Sequence, residues 1–357
     1  MKRQIYLLLL VVLCCFNGFA QKNGKQDLVL SGYKVTPECF GCKGDSVTDD
    51  TKGLQSAIDF CKANNRMLVS EKGKVYAISA PLDLSVPHEM QIDFGGAVLL
   101  ATKPMEYMLK YDNGTDYSTS HSNIINNLVL DCQKQSGGIF CENAMKTSFN
   151  FVMIRNCSKK AFASKSGYEI FFTNSHIHCT TGEDSYGIYM EHGDCHFDNI
   201  VIIDAHTAVF QQTQGVNFYD KIHAWLYNHV EGTIFFDVNG LALLNQCYFD
   251  TAEKGYNIHG FAILKLVNCQ HYNNPECYDS PNHSTLFFFE NEKLAKTSNI
   301  TCTDCDFNSG GIKESLSNYS SQRIQFENCL IDPSIQGNWG RFAIMPMEGI
   351  SFNKNYG

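Results

Sequence analysis

The sequence predicts an all-β fold, a right-handed parallel β-helix (a solenoid) with an N-terminal capping α-helix. The main observation is a phrase that returns from residue 121 onward: a polar Asn or Asp, a short alternating apolar run, then a turn. It reads NLVLDC at residues 127–132, NIVIID at residues 199–204 and ENCLID at residues 327–332. These runs are too short for helices, and the Gly, Asn and Asp between them favour turns.

Each repeat is expected to form one coil of a stack. A single coil cannot bury its own apolar face, so successive coils must pack on one another. The spacing of the phrase gives coils of roughly 21–26 residues. Equivalent residues of neighbouring coils then lie about 4.8 Å apart and form ladders along the axis. Cys247, Cys269, Cys305 and Cys329 recur at comparable points and are predicted to form a ladder of buried thiols.

An amphipathic helix is predicted near the N-terminus. Leu54, Ile58 and Cys61 follow one another at helical spacing, after the acidic segment at residues 45–51. Thr48 is the expected N-cap, with Asp49 and Asp50 in the first turn, where carboxylates favour the helix dipole. We therefore interpret the two aspartates as helix-start residues and not as a catalytic dyad. The helix would cover the open first coil, which has an unpaired sheet edge.

The first 20 residues have the pattern of an export signal. Lys2 and Arg3 precede an apolar run, and small residues end at Ala20. Because the run is shorter than the roughly 20 residues of a bilayer span, we expect a cleaved leader, no membrane insertion after cleavage, and a secreted or periplasmic protein. Residues 21–357 are expected to form one β-helix domain, with a cap at about 31–70, coils at about 71–335 and a tail at about 336–357.

Charge and cysteine content limit the partners. The chain has a net charge of −9, which disfavours nucleic acid, and removal of the leader makes it more acidic. Binding of a uronic-acid polymer would need Lys or Arg side chains at the binding surface.

Two CxxC pairs, Cys39 with Cys42 and Cys302 with Cys305, lie far apart in the sequence. A Cys39–Cys42 link is therefore a better interpretation than zinc, and no metal is expected.

Four segments resemble the opening of the pectate lyase superfamily: residues 44–51, 54–59, 73–79 and 81–84. The resemblance covers about residues 31–110, and the coil pattern extends it to about residue 335. It implies the β-helix fold and a groove along one of the parallel sheets. The superfamily includes polygalacturonase-like hydrolases, polysaccharide lyases, epimerases and phage tailspikes, so the resemblance is specific for fold and not for reaction.

Motifs of particular enzymes are absent from the sequence. The Asn-Thr-Asp, Gly-His-Gly and Arg-Ile-Lys motifs of polygalacturonases do not occur, and Arg323-Ile324-Gln325 is only a near match to the last. The Trp-x-Asp-His signature of calcium pectate lyases is also missing. Neither reaction has motif support.

The groove can be predicted by aligning one buried residue in each coil: Ile139, Phe162, Ile188, Val209 and Ile234. Because side chains alternate across a strand, odd offsets from these positions should face solvent. Aromatic rings at such positions can stack on sugars, and carboxylates and lysines can bind their polar groups. The residues expected to bind substrate are Lys159, Lys165, Tyr189, Glu191, Phe210, Phe235 and Asp237.

Catalytic candidates lie in the same coils. Glycoside hydrolysis needs an acid and a base or nucleophile about 5–10 Å apart, which residues of adjacent coils can supply. Asp204 and Glu231 are the preferred carboxylate pair, with Glu183 in reserve. His206 and His229 would tune their proton affinity or serve as acid–base groups. The leading hypothesis is an enzyme that hydrolyses a polysaccharide or oligosaccharide and needs no cofactor.

Two alternatives remain open. A polysaccharide lyase would act by β-elimination on a uronic-acid polymer: Lys159, Lys165 or Lys221 would neutralise the substrate carboxylate, His206 or a lysine would take the proton, and calcium could be its cofactor. A non-catalytic glycan-binding β-helix would present the same aromatic surface. Ultraviolet absorbance of an unsaturated product distinguishes lyase from hydrolase.

Overall fold

The chain folds as a parallel β-solenoid of about 10 turns, which confirms the predicted fold class. The computed structural model describes residues 33–85, 89–118, 122–180, 182–226, 232–272, 285–309 and 324–331. The expected leader at 1–20 and tail at 336–357 lie outside these ranges, as do Glu231 and His229. Every strand pairing in the described part is parallel, as stacking of successive coils requires.

Twenty-five strands, two α-helices and a short 3₁₀ helix (Pro37–Phe40) make up the described structure. The helices are α1 (Thr51–Asn64) and α2 (Glu292–Thr297). The strands are β1 (Lys34–Val35), β2 (Asp45–Asp49), β3 (Met67–Val69), β4 (Val75–Ile78), β5 (Leu82–Asp83), β6 (Gln91–Asp93), β7 (Val98–Ala101), β8 (Met105–Asp112), β9 (Asn123–Asn126), β10 (Val129–Asp131), β11 (Ser136–Asn150), β12 (Met153–Cys157), β13 (Lys160–Cys179), β14 (Tyr186–Met190), β15 (Gly193–Ile203), β16 (Thr207–Trp225), β17 (Ile234–Asn245), β18 (Tyr248–Asp250), β19 (Lys254–Val267), β20 (Gln270–Tyr272), β21 (Thr285–Phe289), β22 (Asn299–Thr303), β23 (Asp306–Ser309), β24 (Ile324–Glu327) and β25 (Leu330–Ile331).

Three walls run along the solenoid, and each coil crosses them in the same order. Sheet A contains β5, β8, β14, β21 and the first parts of β11, β13, β16, β17 and β19. Sheet B follows, with the later parts of those long strands, the first part of β15, and β22 and β24. Sheet C comes last and includes β12, β18, β20, β23 and β25. The long strands are long because they pass from one wall to the next.

A one-residue turn in the left-handed region joins sheet B to sheet C and fixes the register. Asn fills it most often because its short polar side chain tolerates positive φ. Neighbouring amides also bond along the axis, from Asn174 Nδ2 to Asn150 Oδ1 and from Asn199 Nδ2 to Asn174 Oδ1, both at 2.9 Å. The turn residues are Asn127, Phe151, Asn174, Asn199, Lys221, Gln246, Asn268, Asp304 and Asn328.

The core is a column of stacked apolar side chains, and the cysteine ladder predicted from the sequence is part of it. Cys247, Cys269, Cys305 and Cys329 are each no more than 2% exposed. The hydrogen bond that the Cys305 thiol donates to Cys269, together with burial, raises the pKa of Cys305 to about 12. These thiols are therefore packing residues, not nucleophiles. In the first CxxC pair Cys39 is exposed and Cys42 is buried, and both are free thiols, so the expected link is not formed.

The N-terminal helix α1 covers the first coils and buries Leu54, Ala57, Ile58 and Cys61. The predicted N-cap is wrong: Thr48 lies in β2, where its backbone N donates to Asp45 at 2.7 Å. Asp50 occupies the cap position, but its carboxylate accepts hydrogen bonds from Lys43 N at 2.7 Å and Gly44 N at 2.9 Å. The chain turns at residues 41–44, ahead of β2, and Asp50 accepts the hydrogen bonds of the two backbone N–H groups in that turn.

Helices long and apolar enough to cross a membrane do not occur among the described residues.

Candidate functional site

The outward face of sheet A carries the candidate site. Four of the five residues used for the alignment pair in register, from Ile139 through Phe162 and Ile188 to Val209, as predicted. One residue further along each strand lies the outward row that we call the A row. Its members are Phe140, Ala163, Tyr189, Phe210, Asp237, Asn257 and Phe288.

The fifth alignment residue is wrong by two positions. Val209 pairs with Phe236, whereas Ile234 pairs with Thr207. The coil between them has extra residues before sheet A, where the sequence has no apolar pattern to reveal them. Phe235 is consequently not an outward ring: it is fully buried against Phe249, with ring centroids 5.0 Å apart. The same correction places Asp237 beside Phe210 in the A row.

Two rings of the A row, Tyr189 and Phe210, stack along the axis with His259, which lies two residues beyond Asn257 on the same strand. Tyr189 and Phe210 lie 4.5 Å apart at 11°, and Phe210 and His259 lie 5.1 Å apart at 5°. Lys160 places its ammonium 3.3 Å from the centre of Tyr189, on the preceding coil. We call the three rings Tyr189, Phe210 and His259 the aromatic stack. A fourth ring, Tyr186, meets Tyr189 edge-on at 5.2 Å.

Two carboxylates meet at the downstream end of the aromatic stack. Asp237 Oδ1 accepts hydrogen bonds from His259 Nδ1 at 2.8 Å and from Asn257 Nδ2 at 2.7 Å. The same Asn257 nitrogen lies 3.4 Å from Glu290 Oε1. Because one nitrogen contacts both acids, their oxygens lie within about 6 Å of each other, inside the range of glycosidase carboxylate pairs. We call Asp237 and Glu290 the acid pair.

Buried polar atoms surround the acid pair. Within the described part of the chain, His259 Nε2 and Asn257 Oδ1 are enclosed and make no hydrogen bond. Folded proteins satisfy nearly all such atoms, and exceptions are found at catalytic sites. Asp237 itself is largely shielded, with a side chain that is 15% exposed, while Glu290 is exposed. The two acids therefore have different surroundings.

Asp204, the described member of the preferred catalytic pair, does not face sheet A. Asp204 lies in the bend after β15 with φ 55°, is 6% exposed, and has its Oδ2 3.3 Å from His178 Nε2 on sheet C. Its placement beside the aromatic row was wrong, because an Asp at a left-handed bend serves the turn. Glu231 and His229 lie outside the described residues.

His206 and Glu183 do come together, at the edge where each coil passes from sheet C to sheet A. Burial lowers the pKa of His206, and the nearby charges of Glu183 and Glu253 oppose that shift. The His206 backbone N donates a hydrogen bond to Ser185 Oγ at 2.9 Å. The catalytic roles assigned to His206 and Glu183 stay predictions.

The expected binding lysines are differently placed. Lys159 is exposed in the bend before sheet A, and its neighbour Lys160 is the one that joins the aromatic row. Burial lowers the pKa of Lys160, while the Glu191 and Glu106 carboxylates oppose this shift. Glu191 thus lies near Lys160 and Tyr189, and its role as a substrate contact stays a prediction. Lys165 faces outward and forms an ion pair with Glu142 at 2.5 Å.

Four members of the site escaped sequence reasoning: Lys160, Asn257, His259 and Glu290. Two further core positions, Tyr256 and Phe287, continue the column of Phe236. Alignment on Tyr256 would have identified Asn257 one residue later and His259 three residues later. Alignment on Phe287 would have identified Glu290 three residues later. The signal was therefore present, in coils of less regular length.

Comparisons with known proteins agree with this architecture. The ORF18 protein of Geobacillus virus E2 has a similar structure at a TM-score of 0.60 and 14% identity, covering 88% of this chain and 62% of that one. Tailspike protein 3 of bacteriophage CBA120 gives 0.50 at 13% identity, covering 83% and 48%. PfbA, a surface adhesin of Streptococcus pneumoniae, gives 0.50 at 10% identity, covering 85% and 91%. These neighbours show the fold alone, a parallel β-helix.

Sequence relatives match only a short segment. Depolymerase 1 of Klebsiella phage K5-2, specific for capsule K30/K69, is 43% identical over 65 residues, which is 18% of this chain. The K30/K69-specific depolymerase of Klebsiella phage K64-1 is 42% identical over 73 residues, or 20% of this chain. The aligned segment spans 8% of the length of each of these relatives. No protein-family model matches the chain.

Proposed function

We propose that this protein is a secreted glycoside hydrolase that binds a polysaccharide along sheet A and cleaves it at the acid pair. The observation that carries the proposal is the shared contact of Asp237 and Glu290 with Asn257 Nδ2, at 2.7 and 3.4 Å. Cleavage of a glycosidic bond needs two carboxyl groups at this separation on one accessible surface. The pair replaces Asp204 and Glu231 as the catalytic candidates.

The surroundings of the two acids suggest their roles. Asp237 receives two hydrogen bonds on Oδ1, from His259 and Asn257, and these donors suit an ionised nucleophile or base. Glu290 is exposed at the end of β21 and suits the proton donor to the leaving glycosidic oxygen. A separation of no more than about 6 Å is closer to the 5–5.5 Å of retaining enzymes than to the longer distance of inverting ones. Retention of anomeric configuration is therefore expected.

The relatives support a polysaccharide substrate. Two phage proteins that share a segment with this chain are named as depolymerases of K30/K69 capsules. Because that segment is short, the capsule type is not carried over and serves only to choose a test substrate. The pattern of residues 1–20, which predicts an export signal, supports action outside the cytoplasm.

The acid pair supports hydrolysis, whereas β-elimination would depend on a single lysine. Of the three lysines that could meet a substrate carboxylate, Lys165 is paired with Glu142, and Lys221 lies at the B–C turn, 2.9 Å from Asp198. Lys159, exposed in the bend before sheet A, is the one left to a lyase.

A glycan panel tests the proposal. Purified protein lacking residues 1–20 is incubated with K30 and K69 capsular polysaccharides, xylan and polygalacturonate, and new reducing ends and ultraviolet absorbance are measured. We expect reducing ends without an unsaturated product. Asp237→Asn and Glu290→Gln should each lower kcat by about 10²–10⁴-fold. Asp198→Asn, an exposed carboxylate on sheet B, is the matched control and should keep the wild-type rate.

Three results would count against hydrolysis at the acid pair. Wild-type rates in both acid-pair variants would remove Asp237 and Glu290 from catalysis. Products that absorb in the ultraviolet would establish the lyase alternative. Retention on an immobilised glycan without any cleavage would favour the adhesive alternative, for which PfbA provides a structural parallel in fold.

A further inference from the structure

We infer that Phe210 and Tyr189 are positioning residues that hold His259 against Asp237, and that they are not platforms for sugar rings. The catalytic consequence of this inference rests on the proposed function, but the geometry does not. Phe210 has the Tyr189 ring on one face, 4.5 Å away at 11°, and the His259 ring on the other, 5.1 Å away at 5°. Both faces of Phe210 are therefore occupied within the protein.

A sugar ring binds an aromatic residue by packing its C–H surface on the ring face. Tyr189 offers no better face than Phe210, because its second side is occupied by the Lys160 ammonium at 3.3 Å. The aromatic stack consequently presents ring edges to solvent. This geometry reassigns two residues that the sequence analysis took as sugar contacts.

The stack limits the freedom of His259 in two directions. Phe210 fixes the plane of the imidazole, and the 2.8 Å contact from Nδ1 to Asp237 Oδ1 fixes its rotation within that plane. Since a carboxylate can only accept, Nδ1 must carry the proton of this hydrogen bond. At the opposite end, the cation–π contact of Lys160 keeps Tyr189 in place. Loss of the Phe210 ring would let His259 adopt other rotamers and release one donor from Asp237.

Sheet B contains a natural control for this arrangement. Phe171, His196 and Phe218 stack there in the same way, with centroids 4.9 and 4.6 Å apart and planes within 9°. These residues lie on another wall, away from the acid pair. Phe218→Leu removes a ring that stacks on His196 and leaves Phe210, His259 and the acid pair unchanged.

Histidine ring NMR of the mature chain tests the inference without any substrate. Long-range ¹H–¹⁵N spectra report which ring nitrogen carries the proton, and His259→Gln assigns the His259 signals. We expect a single Nδ1–H form of His259 in the wild type and in Phe210→Tyr, which keeps the ring. Phe210→Leu should give averaged tautomer signals, and Phe218→Leu should not alter His259. Unchanged His259 signals in Phe210→Leu would overturn the inference.

Kinetics on the panel glycan that the wild type cleaves separate positioning from sugar contact. Phe210→Leu should lower kcat by about tenfold, or about 1.4 kcal/mol of transition-state stabilisation, with KM within about twofold. Phe210→Tyr should restore kcat. A raised KM at constant kcat would show a sugar platform and refute positioning. If Asp237→Asn keeps full activity, the proposed function fails, while the NMR result still decides the role of Phe210.

Discussion

His271 makes the stability of the solenoid sensitive to acid. Its ring is 1% exposed in the core between sheets A and C, among Phe235, Phe249 and Tyr256, with centroids 5.1 to 5.4 Å away. Gly255 carries no side chain there, and a Cβ would come within 2.9 Å of the imidazole. Burial lowers the pKa of His271 from 6.5 to about 3. The folded protein thus keeps a neutral imidazole in moderate acid.

The sign and size of the effect follow from proton linkage. Below pH 6.5 the imidazole binds a proton in the unfolded chain but not in the folded chain, so acid favours unfolding until the pH reaches about 3. Each pH unit in this window contributes about 1.4 kcal/mol. His271 should therefore lower the free energy of unfolding by about 2 kcal/mol between pH 7 and pH 5, and by about 4 kcal/mol between pH 7 and pH 3.

Urea unfolding of His271→Leu and the wild type at pH 7 and pH 5 measures this contribution. Carboxylates titrate equally in both proteins, so the difference between them isolates the histidine. From pH 7 to pH 5, the variant should gain about 2 kcal/mol relative to the wild type. His192→Leu removes an exposed imidazole and should follow the wild type. A difference between His271→Leu and wild type that is the same at both pH values would refute the reasoning.

Three further predictions concern the cap, the thiols and the turns. Asp50→Ala leaves the Lys43 and Gly44 amides without their acceptor and should cost about 2–3 kcal/mol in urea unfolding, whereas Glu292→Ala, on an exposed helix turn, should change little. Cys39→Ser should remove one fast-reacting thiol in a labelling assay, because Cys39 is exposed and the other described cysteines are buried. Phe151→Asn should raise the unfolding free energy by about 0.5–1 kcal/mol, since Phe151 is 57% exposed at φ 55°; lower stability would contradict this account of the turn.

The fold could be predicted from sequence because every coil needs the same local chemistry. Asn127, Asn174 and Asn199 mark a turn that must have positive φ in each coil, and the apolar runs beside them must enter the core. The cysteine ladder was predictable for the same reason, since stacking brings like positions together. Thr48 was misassigned because a polar residue before a helix also suits a strand that ends in a tight turn.

The site was only partly predictable because it depends on coil lengths and on contacts between side chains. Tyr189 and Phe210 were placed correctly on the outward face because the coils up to Val209 have regular lengths. The alignment on Ile234 was wrong because the next coil has additional residues before sheet A. Asp204 was misleading because bends of this fold use Asp and Asn for backbone reasons. The ring-to-ring packing of Phe210 on His259 depends on rotamers in two coils, which periodicity does not encode.

The one-residue turn between sheets B and C has a consequence for how this surface can diversify. Because that corner holds the winding constant, length changes fall on the other passages. Between sheets A and B, helix α2 is inserted between β21 and β22, and register shifts occur at Gln212–Val216 and Val238–Gly240. This passage begins directly after Glu290 of the acid pair. Insertions in single coils can therefore change the surface next to the acid pair without disturbing the stacked core. Under the proposed function, such insertions would alter which substrate binds.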